Sequence, residues 1–275
     1  MRLCCINMNK ISVVMSVYQN DDAENFRCAV ESILSQTYSP SEIILVVDGP
    51  VSKEIESILK EYAMNQLFKI MRLPENVGLG LALQKGCTEA QYPLIARMDS
   101  DDISDPTRFE KQIKHLQENP NCDVVGTFGV KFFNSLENVY DEKKLPITDQ
   151  EIKKIMPKRN PLNHMSIMIK KEALLKSGNY QNWYLAEDYY LWLRMCLSGA
   201  TFHNIPENLV SIRVDNHTFA KRHGMKYFKS LKRLYKFMLT NKMISRWRYL
   251  KNVLVRFVYH VLIPRWLKKL IYRKF

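Results

Sequence analysis

The chain has 275 residues, 46% of them apolar and 25% charged. These are ordinary globular values and exclude a collagen-like, coiled-coil or disordered chain. The net charge of +13 is unevenly spread: residues 216–275 carry 17 of the 41 Lys and Arg and no Asp or Glu, which leaves 24 basic against 28 acidic side chains in residues 1–215.

The first hundred residues alternate two kinds of segment. Residues 11–17 (ISVVMSV) form a nearly continuous apolar run, as expected of a strand covered on both faces. Residues 23–35 place Phe26, Ala29, Val30, Ile33 and Leu34 at helical spacing. A second buried strand, 42–47 (EIILVV), ends at Asp48-Gly49-Pro50; a helix over 52–65 and a third strand over 68–73 follow. A helix opens within 76–86, and residues 93–98 (PLIARM) read as a fourth strand. Strands spaced by helices of this length predict a parallel sheet with right-handed crossovers. Ligands of such sheets bind beyond the carboxyl ends of the strands. The loops 18–22, 48–50, 74–80 and 99–102 are therefore where chemistry is expected.

The second half is less regular. It predicts a helix over 106–118, strands over 124–133 and 164–169, and helices over 171–176 and 187–198. The tail reads as basic helices over about 224–240, 244–260 and 264–273, with aromatic residues recurring among Lys and Arg. Six cysteines, at positions 4, 5, 28, 87, 122 and 196, form no C-x-x-C pair, so neither a zinc site nor a disulfide framework is expected. The opening MRLCCINMNK has no apolar run suited to a secretory signal, and no stretch reaches the ~18 apolar residues of a membrane span.

The sharpest feature is Asp99-Ser100-Asp101-Asp102, directly after an apolar strand. Carboxylates this close raise one another's pKa unless a cation neutralises them, and such oxygen donors suit Mg²⁺ or Mn²⁺. The plainer alternative is a solvated acidic turn or helix cap before Pro106. A second acidic pair, Glu187-Asp188, opens the 187–198 helix, where a carboxylate also favours the helix dipole.

Taken in order, ISVVMSVYQNDD, EIILVVDGP, PENVGLGLALQKG, ARMDSDDISDPTRFEKQ and AEDYYLWLRM resemble the successive motifs of family 2 glycosyltransferases. The closest likeness is to bacterial enzymes of capsule, exopolysaccharide and O-antigen assembly, and it covers about residues 10–217. The resemblance implies an α/β fold of the GT-A type, a Rossmann-like, mainly parallel sheet flanked by helices. Residues 1–217 would be the transferase domain, with a nucleotide-sugar half (10–105) and an acceptor half (106–217). The basic extension 218–275 lies outside it.

Residue roles follow from the resemblance alone. Tyr18 and Asp48 would line a uracil and ribose pocket. Many relatives have two acidic residues before the glycine, whereas this chain has Val47 and then Asp48. Asn76, Gly78 and Lys85 would approach the nucleotide. Asp99 and Asp101 would form a D-x-D pair, with Asp101 holding the divalent metal, Asp99 contacting ribose or the metal shell, and Asp102 orienting the sugar or the loop. Asp188 would be the general base of an inverting transfer, with Glu187 beside it. His164 would lie near the acceptor, while His217 and Arg213 would approach the metal or the diphosphate; for both histidines a structural role is the alternative. A tryptophan at the position of Trp192 can stack on sugar in such enzymes; packing and surface roles are the plainer readings of Trp192 and Arg194.

The expected activity is transfer from a UDP-sugar to a glycan on a lipid diphosphate, forming a β-linkage with Mn²⁺ or Mg²⁺. The tail suits the inner face of an anionic membrane; packing on the body and nucleic-acid binding are its rivals, nucleic acid the weaker. A sugar-nucleotide pyrophosphorylase would need a Gly-rich basic loop after the first strand, and VYQNDD has no glycine. A non-catalytic membrane- or nucleic-acid-binding protein on a degenerate transferase fold is the remaining alternative.

Overall fold

The computed structural model describes residues 9–133, 135–142, 144–214 and 223–263. Strands β1 (Ile11–Val17), β2 (Glu42–Val47), β3 (Phe68–Arg72) and β4 (Leu94–Arg97) lie in the order β3-β2-β1-β4, all parallel. Helices α1 (Ala23–Leu34), α2 (Lys53–Ala63) and α3 (Leu79–Glu89) connect them. Alternate residues of β1 and β2 enter two cores: Val14, Ile44 and Val46 face α3, while Val13, Met15, Ile43 and Leu45 pack with residues of α1 and α2. Gly86 sets how closely α3 approaches the sheet, because a Cβ there would meet Val14 Cγ1 at 2.7 Å and Val46 Cγ2 at 2.9 Å.

Beyond β4 the sheet becomes mixed, with antiparallel pairs beside a further parallel one. The chain forms β5 (Ile103–Ser104), α4 (Arg108–Glu118), β6 (Val124–Phe133), β7 (Ser135–Glu142), α5 (Asp149–Ile155), β8 (Met168–Lys170), α6 (Lys171–Lys176), α7 (Glu187–Leu197) and β9 (Phe202–Arg213). The sheet continues β4-β8-β6-β9-β5, with β7 on β6; β8 is antiparallel to both neighbours, while β6 and β9 are parallel. Residues 164–166, expected to begin a strand, form one 3-10 turn.

The expected helix within 76–86 starts only at Leu79, because Gly78 caps it with φ +87°. β9 was not expected. Pro206 lies inside it, and its pairing with β6 shifts register near Asn208, so the apolar alternation that marks a strand is broken there.

The basic segment splits into α8 (Met225–Thr240) and α9 (Arg246–Phe257), followed by a π-helical turn, Val258–Leu262. The expected helix over 264–273 lies outside the described residues. The apolar side of α8 is not a membrane face: Leu231, Leu234, Tyr235 and Met238 belong to the same core as α3 and α7. Replacing the fully buried Leu234 with Ala is therefore expected to cost about 2–5 kcal/mol in urea unfolding. A cost near zero would mean that α8 is a detachable appendage.

Candidate active site

The acidic turn leaves β4 and is fixed from three sides. Asp99 ion-pairs with the buried Arg97 of β4. Asp102, 1% exposed, accepts the Arg213 backbone N–H at 2.7 Å, so the end of β9 closes over the turn. Arg213 Nε donates to the Asp101 carbonyl at 3.0 Å, and its guanidinium lies 4.6 Å from the centre of the Phe132 ring. On the third side the Ser100 hydroxyl donates to Asp21 Oδ2 at 2.8 Å, and the same oxygen accepts the Tyr18 N–H at 3.1 Å. The loop after β1 and the acidic turn are thereby tied together.

Carboxylate oxygens of Asp99, Asp101 and Asp102 all lie within 4.8 Å of one another. Loss of surrounding water, then the charges of Asp99 and Asp21, push Asp101 up to about 7. Burial, then Asp101 and Asp99, hold Asp102 well above the usual carboxylate range. Arg97 and Arg213 oppose the shift of Asp101 without cancelling it. Beneath the turn Arg108 is fully buried, donates to the Met165 carbonyl at 2.9 Å and is itself pushed down to about 9 by burial. Oxygen donors in this number and crowding fit a hard divalent cation.

On the side where the nucleotide is expected lies an open cleft of about 580 Å³, lined by residues that include Tyr18, Asn20, Asp48, Pro50 and Asn76. Asp48 has a task that the sequence did not indicate: its two carboxylate oxygens accept the Val77 and Gly78 N–H groups, at 2.7 and 3.0 Å. Asn76 Nδ2 donates to the Asp48 carbonyl at 3.2 Å. Asp48 therefore holds the 76–78 loop against the end of β2, and its remaining lone pairs are compatible with a base N–H. Gly49 is required by the same closure, since at φ +84° a Cβ would come within 2.7 Å of the Asn76 nitrogen. Lys85, by contrast, is exposed on α3 and does not line the cleft.

The second acidic pair faces the start of α3. Gly80 allows this, because a Cβ there would lie 2.7 Å from the Gln181 carbonyl and 3.2 Å from Glu187 Cβ. Asp188 Oδ1 accepts the Tyr189 N–H at 2.6 Å, and its Oδ2 accepts from Asn160 Nδ2 at 2.5 Å. Asn160 was not foreseen; it lies 28 positions away in the chain. Burial, then the Asp188 charge, push Glu187 up to about 7, while Arg97 draws it down and Asp99 raises it. Glu187 thus feels both the buried arginine and the first carboxylate of the acidic turn.

A carboxyl whose pKa rises on folding stabilises the protein below its unfolded pKa, and that contribution is lost as pH rises through the folded value. Glu187→Gln is therefore expected to leave thermal stability unchanged at about pH 5. At about pH 8 it should raise stability by roughly 1–2 kcal/mol. Equal melting curves for both proteins at the higher pH would show that Glu187 is not strained.

The remaining candidates separate. His164 is buried, its Nε2 lies 2.9 Å from the Tyr180 hydroxyl, and burial holds it well below the usual histidine range. It is a neutral packing histidine. Trp192 is 0% exposed, and Arg194 donates to the Ser177 and Asn179 carbonyls, so both serve the core. His217 lies outside the described residues. Asp21, Arg97 and Arg108 were missed, although an arginine inside the buried strand before an acidic turn was a readable signal for one of them.

The glycosyl transferase family 2 model matches residues 12–180, a span that contains the cleft, the acidic turn and Asn160. The chain belongs to glycosyl transferase family 2. It is 32% identical over 266 residues to the UDP-Gal:alpha-D-GlcNAc-diphosphoundecaprenol beta-1,3-galactosyltransferase of Escherichia coli, covering 96% of each chain. It is 35% identical over 231 residues to the amylovoran biosynthesis glycosyltransferase AmsE of Erwinia amylovora, covering 84% of this chain and 86% of that one. Among solved structures it resembles residues 1–349 of Staphylococcus aureus TarS in complex with UDP-GlcNAc, with a TM-score of 0.70 at 14% identity, covering 92% of this chain and 73% of the other. That likeness shows the fold, a mixed α/β sheet of the GT-A type.

Proposed function

We propose that this family 2 glycosyltransferase moves a sugar from a UDP-sugar, with inversion, to a glycan carried on a lipid diphosphate. The product would be a β-linkage in O-antigen, capsule or exopolysaccharide assembly. The observation that carries the reading is the acidic turn directly after β4, with carboxylate oxygens of Asp99, Asp101 and Asp102 within 4.8 Å of one another, together with the pair 187–188 set against Gly80 at the start of α3.

In this reading Tyr18 and Asn76 line the nucleoside cleft, and Asp48 keeps its floor closed. Asp99 and Asp101 would hold Mn²⁺ or Mg²⁺, which when bound supplies positive charge to the diphosphate of the leaving UDP. Asp102 fixes the turn against β9, and Arg213, whose Nε reaches the Asp101 carbonyl, would meet phosphate. Asp188, oriented by Asn160, takes the proton from the acceptor hydroxyl as that oxygen attacks the anomeric carbon. Attack by a free hydroxyl with one base and no covalent intermediate inverts the centre.

The galactosyltransferase and AmsE support the lipid-linked acceptor and the polysaccharide setting, and the UDP-GlcNAc complex of TarS supports a uridine nucleotide. No helix among the described residues is long and apolar enough to cross a membrane. Association with the inner, cytoplasmic face of an anionic membrane through residues 218–275 completes the proposal.

The test is UDP release by purified protein with Mn²⁺, a panel of UDP-hexoses and N-acetylhexosamines, and synthetic sugar diphospholipid acceptors. One donor is expected to dominate, and release should require acceptor. No turnover across the panel, with nucleic-acid binding instead, would favour the non-catalytic alternative.

A further inference from the structure

The two basic helices treat their apolar residues in opposite ways. α8 buries them. In α9 and the turn after it, Trp247, Leu250, Leu254 and Val258 are 81%, 54%, 63% and 39% exposed. These positions fall at i, i+3, i+7 and i+11, one continuous stripe along the helix.

The inward side of α9 is held by polar groups as well as apolar ones. Asn252 donates to the Pro157 carbonyl at 3.2 Å, and Arg256 donates to the Tyr235 hydroxyl at 3.1 Å and the Lys158 carbonyl at 3.3 Å. Tyr249 and Val253 of α9 pack on the core from that side, and Phe257 meets the Phe228 ring of α8 edge-to-face at 5.2 Å.

We infer that the outer stripe of α9 lies in the headgroup–acyl boundary of an anionic bilayer, and this deepens the membrane-associated reading above, on which it rests. The chemistry of the surroundings selects that partner. Arg246, Arg248 and Lys251 flank the stripe, and residues 223–263 contain no Asp or Glu. A helix with a basic margin, an aromatic end and an aliphatic ridge is the form that lies within an interface and is drawn to acidic lipids. No helix among the described residues, α9 and its π-helical turn included, is long and apolar enough to cross a membrane, so this placement has the helix along the surface.

The placement has a consequence for the acceptor. The carbonyls that hold α9 belong to residues 157 and 158, and Asn160, two positions on, orients Asp188. The bilayer would then run about one helix diameter, ~10 Å, from the loop that positions the base. An acceptor diphosphate can be presented there with its lipid still in the membrane.

The test is flotation of the purified full-length chain with vesicles of phosphatidylglycerol and cardiolipin against vesicles of phosphatidylcholine alone. The wild type is expected to partition onto the anionic vesicles at least ten-fold more strongly. Leu250→Glu with Leu254→Glu should abolish that preference. The double variant should keep the wild-type melting temperature, because both side chains are exposed. Equal binding by wild type and variant, or no preference for anionic vesicles, would overturn the inference. So would a concentration-dependent dimer that the variant loses while vesicle binding stays unchanged, which would assign the stripe to a second copy of the chain. Transfer to a short-chain, water-soluble acceptor should be the same in both proteins. Absence of any transfer would count against the proposed reaction and leave the vesicle comparison valid.

Discussion

Asp188→Asn is expected to lower kcat by about 10²- to 10⁴-fold, the range over which a positioned general base acts. The KM for the UDP-sugar should stay near wild type, because Asp188 sits at the start of α7, away from the cleft lined by Tyr18, Asp48 and Asn76. The substitution keeps the shape of the side chain and an oxygen for the Tyr189 N–H, so the fold should persist. It removes the lone pair that receives the acceptor proton.

Two companion variants identify the effect. Asn160→Ala removes the hydrogen bond that aims Oδ2 and should lower kcat less, by about ten-fold. It should do so with little change in KM for either substrate. Glu187→Gln tests the neighbouring carboxyl. If Glu187 were the base, its loss would be the larger one. A kcat for Asp188→Asn within a few-fold of wild type would remove Asp188 from the chemistry.

Asp101→Asn is expected to lower the rate of transfer by about 10²- to 10³-fold, the scale of losing one preorganised group that stabilises leaving-group charge. Unlike the Asp188 variant, it should also weaken the dependence on Mn²⁺ and raise the KM for the nucleotide sugar. Stability should move the other way. The Asp101 charge raises the pKa of the buried Asp102. Removing that charge relieves repulsion within the turn, so the melting temperature should hold or rise while activity falls. Such opposed changes mark a side chain kept for function at the expense of stability. A variant with both lower stability and normal turnover would make the turn a structural cap.

The parallel half of the fold was legible because its signals are local. β1 and β2 are continuous apolar runs, α1 and α2 carry clear apolar faces, and every turn between them holds Asp, Asn, Gly or Pro. The second half depends on distant pairing. β9 carries a proline and a register shift, and β5 has two residues that mean nothing until β9 lies beside them. α5 was readable and was missed: Thr148 and Glu151 make a capping box at the spacing that marks a helix start.

The site divides in the same way. The acidic turn and Glu187-Asp188 stand out from residue type and position after a strand or at a helix start. Their partners do not. Asn160 reaches Asp188 only through packing of the 156–162 loop on α7, and Asp48 engages Val77 and Gly78 across 29 and 30 positions. Nothing local separates Trp192, fully buried on α7, from a tryptophan that stacks on sugar, nor the outer stripe of α9 from the buried one of α8.

The most direct test of the account is the rate of UDP-sugar turnover in chelator, followed by return of the cation. The protein should lose transfer activity in excess EDTA and regain it as Mn²⁺ or Mg²⁺ is titrated back, with the Asp101→Asn protein showing a much weaker response. A wild-type rate that stays unchanged in saturating EDTA would contradict the assignment of the acidic turn to the departing diphosphate.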